Sequence, residues 1–281
     1  MAQHSNLIYA LRDGCITSIS DVASGLKCGC VCPACSAALV ARKGTKRMHH
    51  FAHYASENCE YGYETSLHLA AKDILSRIKR IAIPAVYVEF PESGKEKVTV
   101  SQEMEIPIDH VELERTFENI TPDVVVYSGK QFFFIEVFVT HAIDEEKLRK
   151  LKERKISTIE IDLSHEERNI SADELADILI KSNAKKIWKY NAVADKWYNR
   201  FLKVAEKKHI TVRGMALHVD GCPMEMRNYR GKTYANFIDD CIGCEYCISA
   251  EHEGYMLCSG RKKISTIADF KLGQISPRAK K

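Results

Sequence analysis

The chain has 281 residues, of which 45% are hydrophobic and 28% are charged. These values are typical of globular proteins of one or two domains, and they exclude a largely disordered chain. No run approaches the ~18 consecutive apolar residues that a membrane-spanning helix needs, and residues 1–13 lack the basic and apolar regions of a secretion signal. We therefore expect a cytoplasmic protein that has no membrane partner.

The formal net charge of +3 is unevenly distributed along the chain. Residues 181–281 contain 20 Lys and Arg against 10 Asp and Glu, whereas the first 180 residues contain 21 against 28. A basic segment beside an acidic one is a weak indication of a polyanionic partner. Solvated helix faces would explain the same imbalance equally well.

The 11 cysteines cluster near both ends, with six in the first 60 residues and five after residue 221. Cytosolic cysteines stay reduced, so such clusters indicate metal ligands rather than disulfides. We predict four segments: an N-terminal zinc-binding module (1–60), a core (61–165), a helical connector (166–210) and a C-terminal cysteine-rich zinc-binding module (211–281). The tail at residues 275–281 is expected to be loose.

The pair Cys32 and Cys35 predicts a structural zinc site in the N-terminal module, because the short CxxC turn brings both thiolates onto one ion. The candidates for the two remaining ligands are His50, His53 and Cys59. We prefer His53 and Cys59, while the dense run Cys28–Cys30 supplies competing thiols. A redox-active CxxC is less favoured because no thioredoxin-like βαβ pattern surrounds it.

Hydrophobic periodicity predicts alternating helices and strands in the middle of the chain. The predicted strands are Ala82–Phe90, Lys97–Ile108, Asp123–Tyr127, Gln131–Val139 and Ile156–Leu163. The predicted helices are Glu64–Lys79, Glu145–Lys155 with Asp144 as its N-cap, Ala172–Lys181 and Ala184–Glu206. This order of elements predicts a mixed α/β core.

Two carboxylates, Asp123 and Glu136, interrupt dense apolar strands, and a buried carboxylate needs a cation, a donor or water. A predicted hairpin turn at Ser128-Gly129 places Asp123 opposite Phe134, with Glu136 two residues further along the same face. Two neighbouring carboxylates are suitable ligands for Mg²⁺ or Mn²⁺. The alternatives are a structural ion pair or an exposed strand end.

The sequence Pro122-Asp123 on one strand, followed by Glu136 on the next, resembles the signature of the PD-(D/E)XK nucleases. The strings Ile135–His141, His50–His53 and Glu64–His68 resemble the nuclease-like domain of competence protein CoiA-type proteins, over roughly residues 28–165. The resemblance implies a PD-(D/E)XK restriction-endonuclease-like mixed sheet, flanked by helices and by two small cysteine-rich modules. It also implies Mg²⁺-dependent hydrolysis of phosphodiester bonds.

The resemblance implies that Asp123 and Glu136 bind the metal and that Glu64, on the helix before the sheet, is a further ligand or positions water. Glu64 shares one face of that helix with His68 and Lys72, because the three residues are spaced four apart. A solvated stripe with an i,i+4 pair is the alternative interpretation of this face.

The chain departs from the family pattern at Phe138, where these nucleases have a lysine two residues after the second acid. Lys147, in the first turn of the next predicted helix, is our candidate to stabilise the charge on the phosphate instead. An ordinary surface lysine is the alternative. His141 is a candidate general base or ligand-orienting residue.

The C-terminal cysteines predict a second zinc site, for which we choose Cys222, Cys241, Cys244 and Cys258 and leave Cys247 as a spare. The alternative is a 4Fe-4S cluster, because residues 241–247 form a C-x2-C-x2-C run. In the connector, aromatic residues alternate with lysines in Lys185–Tyr190 and Lys196–Arg200. We interpret these aromatics as packing residues and the lysines as nucleic-acid contacts.

These patterns favour an enzyme: a metal-dependent nuclease that hydrolyses phosphodiester bonds, with DNA as the first candidate among nucleic-acid partners. The alternative is a catalytically inactive nucleic-acid-binding or adaptor protein that retains the nuclease fold, and Phe138 is the residue that supports it. A homodimer or a partner protein remains open.

Overall fold

The computed structural model describes residues 7–55, 59–166, 170–250 and 254–273. The chain forms two compact units: unit 1 comprises Met1–Pro84 and Glu103–Asn191, and unit 2 comprises Ala85–Gln102 and Ala192–Lys281. The four segments predicted from the sequence describe smaller modules than these two units, and their boundaries remain predictions. The tail that was expected to be loose, at residues 275–281, lies outside the described residues.

The regular elements are short strands and a few helices. The strands are β1 (Tyr9–Arg12), β2 (Cys15–Ser18), β3 (Leu39–Arg42), β4 (His50–His53), β5 (Arg80–Ile83), β6 (Val86–Val88), β7 (Val98–Ser101), β8 (Met104–Pro107), β9 (His110–Leu113), β10 (Val124–Ser128), β11 (Gln131–Phe138), β12 (Thr158–Asp162), β13 (Lys186–Tyr190), β14 (Glu206–Arg213), β15 (Ala216–Asp220), β16 (Arg227–Tyr229), β17 (Lys232–Asn236), β18 (Cys247–Ser249) and β19 (Tyr255–Cys258). The α-helices are α1 (Gly62–Leu75), α2 (Glu145–Arg154), α3 (Ala172–Ala176), α4 (Ala192–Val204) and α5 (Ile267–Gly273), with π-helical turns at Asp177–Lys181 and Phe237–Cys241 and 3₁₀ turns at Ile19–Asp21, Leu26–Cys28 and Gly260–Lys262.

A five-stranded mixed sheet forms the centre of unit 1, in the order β13-β12-β11-β10-β9. Strands β9, β10 and β11 pair antiparallel, β11 and β12 pair parallel, and β13 pairs antiparallel with β12. Helix α2 connects the two parallel strands, as a parallel pair requires a crossover. The mixed α/β class predicted from the sequence is therefore confirmed.

The hairpin between β10 and β11 has a different register from the predicted one. Val124 pairs with Ile135 and Ser128 pairs with Gln131, so the turn residues are Gly129 and Lys130 rather than Ser128 and Gly129. Gly129 has a φ of +60° at the first central position of the turn, a conformation that glycine adopts without strain. Extending the register by one residue places Asp123 opposite Glu136, so the predicted pairing of Asp123 with Phe134 was wrong.

The strand periodicity of two separates the faces of this sheet. Ile135 and Val137 point to the face that packs with α1, where Leu67 and Leu75 are fully buried. Phe134 points to the opposite face and packs with Leu151 of α2. Full burial of one such leucine contributes about 2 kcal/mol. Glu136 shares the α2 face of the sheet with Phe134, so the acid is held between a strand and a helix.

Helix α2 begins as the sequence predicts. The side chain of Asp144 accepts a hydrogen bond from the backbone N–H of Lys147 at 2.7 Å, and Glu145 and Glu146 follow in the first turn. An acidic N-cap and first turn stabilise a helix start by satisfying its free N–H groups and by interacting with its dipole. The cap fixes Lys147 in the first turn, close to the end of β11.

The predicted helix Ala184–Glu206 was partly wrong, because residues 186–190 form the edge strand β13 of the central sheet. The ammonium of Lys186, only 3% exposed, donates hydrogen bonds to the carbonyl oxygens of Ala82 and Ile180. Trp188 donates from its indole nitrogen to the carbonyl of Pro84 at 3.1 Å. These tertiary contacts favour a strand over the local helical pattern.

The N-terminal part of unit 1 consists of two hairpins. Strand β1 pairs with β2, and β3 pairs with β4, both antiparallel. Phe51 on β4 is completely buried in the core together with Leu7, Leu39 and residues of α1. These hairpins bring the CxxC segment next to the first turn of α1.

Unit 2 contains a six-stranded antiparallel sheet in the order β16-β17-β15-β14-β19-β18. One of its faces packs in a core that includes Val219, Ala235 and Met256 together with the C-terminal cysteines. Trp197 and Phe201 of α4 pack in a second core with Phe90. These aromatic residues pack in a core, as the sequence predicted, whereas the six-stranded sheet of unit 2 was not predicted.

The strand predictions at Ala82–Phe90 and Lys97–Ile108 each cover two strands. The first divides into β5 and β6, and the second into β7 and β8. Strands β5 and β8 pair with each other in unit 1, and β6 and β7 pair in unit 2. Pro84, which cannot donate a ladder hydrogen bond, stands between the first two strands.

Candidate functional site

Two carboxylates meet at one end of the central sheet. Asp123 directly precedes β10, and its Oδ2 accepts a hydrogen bond from the backbone N–H of Val137 at 2.8 Å. Glu136 lies opposite on β11 with a side chain that is 10% exposed. The structure therefore brings the two predicted metal ligands together, closer than the diagonal arrangement expected from the sequence.

Helix α1 supplies an imidazole and an ammonium group to Asp123. The Nε2 of His68 lies 3.0 Å from Oδ2 of Asp123, and the ammonium of Lys72 lies 3.9 Å from Oδ1. Burial acts to raise the pKa of Asp123, but the hydrogen bond and charge of His68, the Val137 N–H and the charge of Lys72 outweigh it, so that the pKa is lowered. Asp123 is thus held in its anionic form.

Glu136 is in the opposite electrostatic situation. Burial raises the pKa of Glu136 to about 7, against the attraction of Lys147, while the nearby charge of Asp123 raises it further. The ammonium of Lys147 lies 2.7 Å from Oε1 and forms an ion pair with this buried oxygen. Glu136 therefore has a buried acceptor oriented for a cation.

Glu64 approaches the same strand end from the first turn of α1. Its Oε1 accepts a hydrogen bond from the hydroxyl of Thr140 and lies 3.4 Å from Nδ1 of His141. The imidazole of His141 is mostly exposed and also contacts Thr140. The predicted face of α1 that carries Glu64, His68 and Lys72 thus points to the end of the sheet rather than to solvent.

A further acid, Glu160 on β12, lies beside Glu136 across the parallel strand pair. Its Oε2 accepts from the backbone N–H of Ile143 at 2.7 Å, and its Oε1 lies 3.2 Å from the ammonium of Lys189. Glu160 therefore ties the segment before α2 to the sheet. The sequence analysis missed this residue, although its position within an apolar strand is the same indication that identified Glu136.

These side chains line one cavity of about 300 Å³ in unit 1, whose charged lining residues include Glu64, His68, Asp123, Glu136, Lys147 and Glu160. Phe138 and His141 also line it. All five residues predicted as catalytic therefore line the same cavity. Its chemistry is that of a carboxylate cluster with one ammonium and two imidazoles.

A second site is formed by thiols in the N-terminal part of unit 1. The ligand atoms of Cys32, Cys35, His53 and Cys59 all lie within 4.8 Å of one another. The sulfurs of Cys32 and Cys59 are 3.8 Å apart, and the sulfur of Cys35 is 3.3 Å from Nε2 of His53. Tetrahedral zinc, with Zn–S near 2.3 Å and Zn–N near 2.0 Å, requires separations of about 3.8 and 3.5 Å. The cluster has the donor set and the dimensions of a zinc site.

The alternative ligand His50 does not belong to this group. It lies three positions before His53 on β4, so the two side chains point to opposite faces of the strand. Its Nδ1 instead lies 2.8 Å from the carbonyl oxygen of Met48. The structure therefore does not bring His50 to the cluster, whereas the preferred set with His53 and Cys59 comes together.

Gly62, the first residue of α1, allows the thiols to approach the helix. A Cβ atom at this position would lie 3.3 Å from the sulfur of Cys59 and 3.4 Å from that of Cys32. The adjacent helix N-terminus favours negative charge, such as that of thiolates. The start of the helix and the cysteine cluster thus depend on the same glycine.

The C-terminal thiols surround a small cavity of about 20 Å³ in unit 2. Cys222, Cys241, Cys244 and Cys258 line it. In the part of the chain that the structure describes, they do not reach the mutual distances of the N-terminal group. Burial and the neighbouring thiols raise the pKa of Cys241 to about 12.

Cys247, the thiol left as a spare, does not line this cavity. It is fully buried, and burial together with the neighbouring Cys258 and Cys244 raises its pKa to about 12, opposed by a hydrogen bond with Ser93 and the charge of Lys95. The four thiols chosen from the sequence therefore line one cavity, whereas Cys247 does not line it but pairs with Cys258 across β18 and β19.

Unit 1 is thus a mixed α/β core with a carboxylate-lined cavity and a thiol cluster that could hold a metal ion. The family profile for the competence protein CoiA, N-terminal domain, matches residues 23–62. This segment contains all four members of the thiol cluster. Residues 23–62 are therefore similar to this domain, in agreement with the resemblance found in the sequence. The match does not extend to the residues around the carboxylates.

No curated protein and no solved structure gave a significant match to the chain. Among the helices of the described residues, none is both long and apolar enough to cross a membrane.

Proposed function

We propose that this protein is a metal-dependent nuclease whose PD-(D/E)XK-type core hydrolyses phosphodiester bonds in DNA. The observation that carries the proposal is the meeting of Asp123 and Glu136 on adjacent strands, in a cavity that also receives Glu64 from α1 and Lys147 from α2. Acids and bases from separate elements converge on one space that is large enough for a phosphate group. A purely structural ion pair would not need such a cavity.

The residues present fit a divalent cation. Oε1 of Glu136 is buried and already faces a cation, the ammonium of Lys147, and Asp123 is held in its anionic form beside it. Asp123 and Glu136 would hold Mg²⁺ or Mn²⁺, with Glu64 as a further oxygen donor or a residue that positions water. Such an ion would neutralise charge on the phosphate and lower the pKa of a water molecule.

Lys147 takes the role of the lysine that is absent at Phe138. Its ammonium already lies 2.7 Å from Glu136, and it donates to the carbonyl of Thr121 at 3.3 Å. Because the capped start of α2 fixes its backbone, the ammonium is held at the edge of the cavity, where it would bind a phosphate oxygen. His141 and Glu64, which contact each other, would accept or orient a proton at the nucleophile.

The cysteine clusters would bind zinc as structural ions. The N-terminal cluster would hold it with Cys32, Cys35, His53 and Cys59. In unit 2, we propose a Cys₄ site formed by Cys222, Cys241, Cys244 and Cys258, because these four line one cavity. The alternative 4Fe-4S cluster would use Cys247, which pairs with Cys258 across β18 and β19 but does not line this cavity. All cysteines are free thiols, as a cytoplasmic location would keep them.

The test is cleavage of supercoiled and circular single-stranded DNA with Mg²⁺ or Mn²⁺. Wild type would be compared with Glu136→Ala and with a control, Glu112→Ala, which removes a carboxylate of the same sheet outside the cavity. We expect wild type and the control to cut DNA at similar rates and Glu136→Ala to lose cutting.

Absence of cutting by wild type with either metal, together with retained DNA binding, would contradict the proposal. It would favour the alternative of an inactive nucleic-acid-binding or adaptor protein, to which Phe138 points. Equal cutting by all three proteins would indicate a contaminating nuclease and would leave the site assignment without support.

A further inference from the structure

One face of the six-stranded sheet of unit 2 is mostly exposed over strands β14 to β17, and the proposed catalysis does not use this open face. At its β19 edge the face is covered, because Leu257, which pairs with Lys207, packs in the core with Phe201. The opposite face is occupied by the core with Val219, Ala235 and Met256. The open face lies in the basic C-terminal part of the chain, where 20 Lys and Arg stand against 10 Asp and Glu in residues 181–281. Basic residues therefore outnumber acidic residues in the part of the chain that forms this face.

The pairing register of the strands shows which side chains lie on the open face. Thr211 of β14 pairs with His218 of β15, which pairs with Asn236 of β17, so these three share a face. Strand alternation adds the second neighbours of each residue. The face then contains, strand by strand, Lys207, His209 and Arg213; Asp220; Lys232 and Tyr234; and Arg227 and Tyr229.

Aromatic rings line this face beside the basic groups. His218 and Tyr234 stack with their ring planes 3° apart and their centroids at 4.9 Å. The ammonium of Lys207 lies 3.5 Å from the ring centroid of Tyr255, and Tyr229 is 63% exposed. Rings that stand on an open sheet surface are available to stack on the faces of bases.

The charge of the face is positive. Asp220 is the acidic residue among these strand positions, and Arg213 pairs with it. Arg227 is neutralised by Asp239 and Asp240. Lys207 and Lys232 form no ion pair within the described part of the chain. By the extended register, Lys207 and Lys232 lie in one row, two residues along their strands from the row that contains Tyr234, so positive charge and aromatic surface occur together.

We propose that this face of unit 2 binds single-stranded DNA, with the rings of His218 and Tyr234 stacking on bases and Lys207 and Lys232 contacting phosphates. Single strands expose base faces, which a duplex keeps stacked in its interior. The rings of His218 and Tyr234 are therefore suited to stack on unpaired bases, and the lysines are suited to contact the phosphates of the DNA backbone. The proposal goes beyond the proposed cleavage, which involves only unit 1.

The experiment is fluorescence anisotropy of a labelled oligo(dT) with the full chain, without added divalent metal, so that no cleavage contributes. Loss of cleavage and loss of this binding are then distinguishable. The first variant, Lys207→Glu with Lys232→Glu, changes exposed lysines of the face. Its control, Lys130→Glu with Lys152→Glu, makes the same charge change on exposed lysines of unit 1.

We expect the Lys207/Lys232 variant to lower oligo(dT) affinity by more than tenfold, and to reduce the slope of log affinity against log salt by about 1.4, the value for two lost phosphate contacts on a single strand. The control pair should remain within about threefold of wild type, a bound set by the small long-range effect of screened charges. Equal affinity losses in both double variants would overturn the assignment of the face.

The second variant, Tyr234→Ala, tests stacking, and Tyr234→Phe is its matched control because the ring is kept. Loss of one stacked base predicts roughly a 5- to 100-fold lower affinity for Tyr234→Ala, with Tyr234→Phe close to wild type. Circular dichroism would check that both variants fold. Folded Tyr234→Ala with wild-type affinity would overturn the proposal. So would tighter binding of a duplex or of oligo(rU) than of oligo(dT).

Discussion

Replacing Glu136 by glutamine should stabilise the protein in a pH-dependent manner. Burial raises the pKa of Glu136 from 4.5 to about 7. The folded state therefore holds this proton more tightly than the unfolded state does. The contribution of the group to stability is fully present below pH 4.5 and is lost as the pH rises through 7.

The size of the effect follows from the two pKa values. A shift of one pKa unit corresponds to about 1.4 kcal/mol, so ionising Glu136 in the folded protein costs about 3 kcal/mol above pH 7. Glu136→Gln removes this cost because an amide does not ionise. The unfolding free energy of the variant, relative to wild type, should therefore increase by about 3 kcal/mol between pH 4.5 and pH 8.

The assay is urea denaturation of both proteins at several pH values, in buffer that contains no Mg²⁺ or Mn²⁺. Glu112→Gln is the control, because hydrogen bonds from Arg115 and Tyr127 lower the pKa of Glu112, so that this variant should show no gain at high pH. A difference between Glu136→Gln and wild type that does not change with pH would refute the argument. It would mean that Glu136 is not desolvated.

Three further outcomes are expected. Lys147→Met should reduce the rate of DNA cleavage roughly 100- to 1,000-fold, because one group that stabilises charge on the phosphate is lost. Lys147→Arg, which keeps the positive charge, should retain more activity. Equal rates in wild type and Lys147→Met would refute the role of this ammonium. His53→Ala should lower the zinc content measured by mass spectrometry, while His50→Ala should leave it unchanged, and the reverse result would contradict the ligand set. Gly62→Val should lose zinc to a chelator faster than wild type because its side chain would crowd two of the ligating thiols, whereas Gly44→Val, which has open space around it, should not.

The sequence predicts the chemistry of the carboxylate site better than its register. Shifting the turn from Ser128-Gly129 to Gly129-Lys130 moves the pairing by two residues, and a shift of two keeps every side chain on the same face. Asp123 and Glu136 were therefore predicted on one face for a reason that did not depend on the exact turn. The position of the turn itself depends on which residue takes the positive φ, and this cannot be derived from alternation of apolar residues.

Contacts between distant segments explain most of what the sequence analysis missed. Glu160 reaches the site only because β12 pairs in parallel with β11, and a strand pattern does not specify its neighbours. Lys186 occurs in a strand because its ammonium donates a hydrogen bond to the carbonyl oxygen of Ala82, more than 100 residues earlier in the chain. By contrast, the cap at Asp144 and the CxxC pair were predicted correctly, because both depend on residues close together in the chain.

The most direct test of the account is a titration of the zinc-loaded protein with Mn²⁺, followed by the loss of the free-ion signal in electron paramagnetic resonance. The account predicts that wild type and Glu112→Gln bind Mn²⁺ alike, and that Asp123→Asn binds it at least about tenfold more weakly, because one of the ligating carboxylates is lost. Equal Mn²⁺ affinity in wild type and Asp123→Asn would contradict the claim that Asp123 and Glu136 form a catalytic metal site.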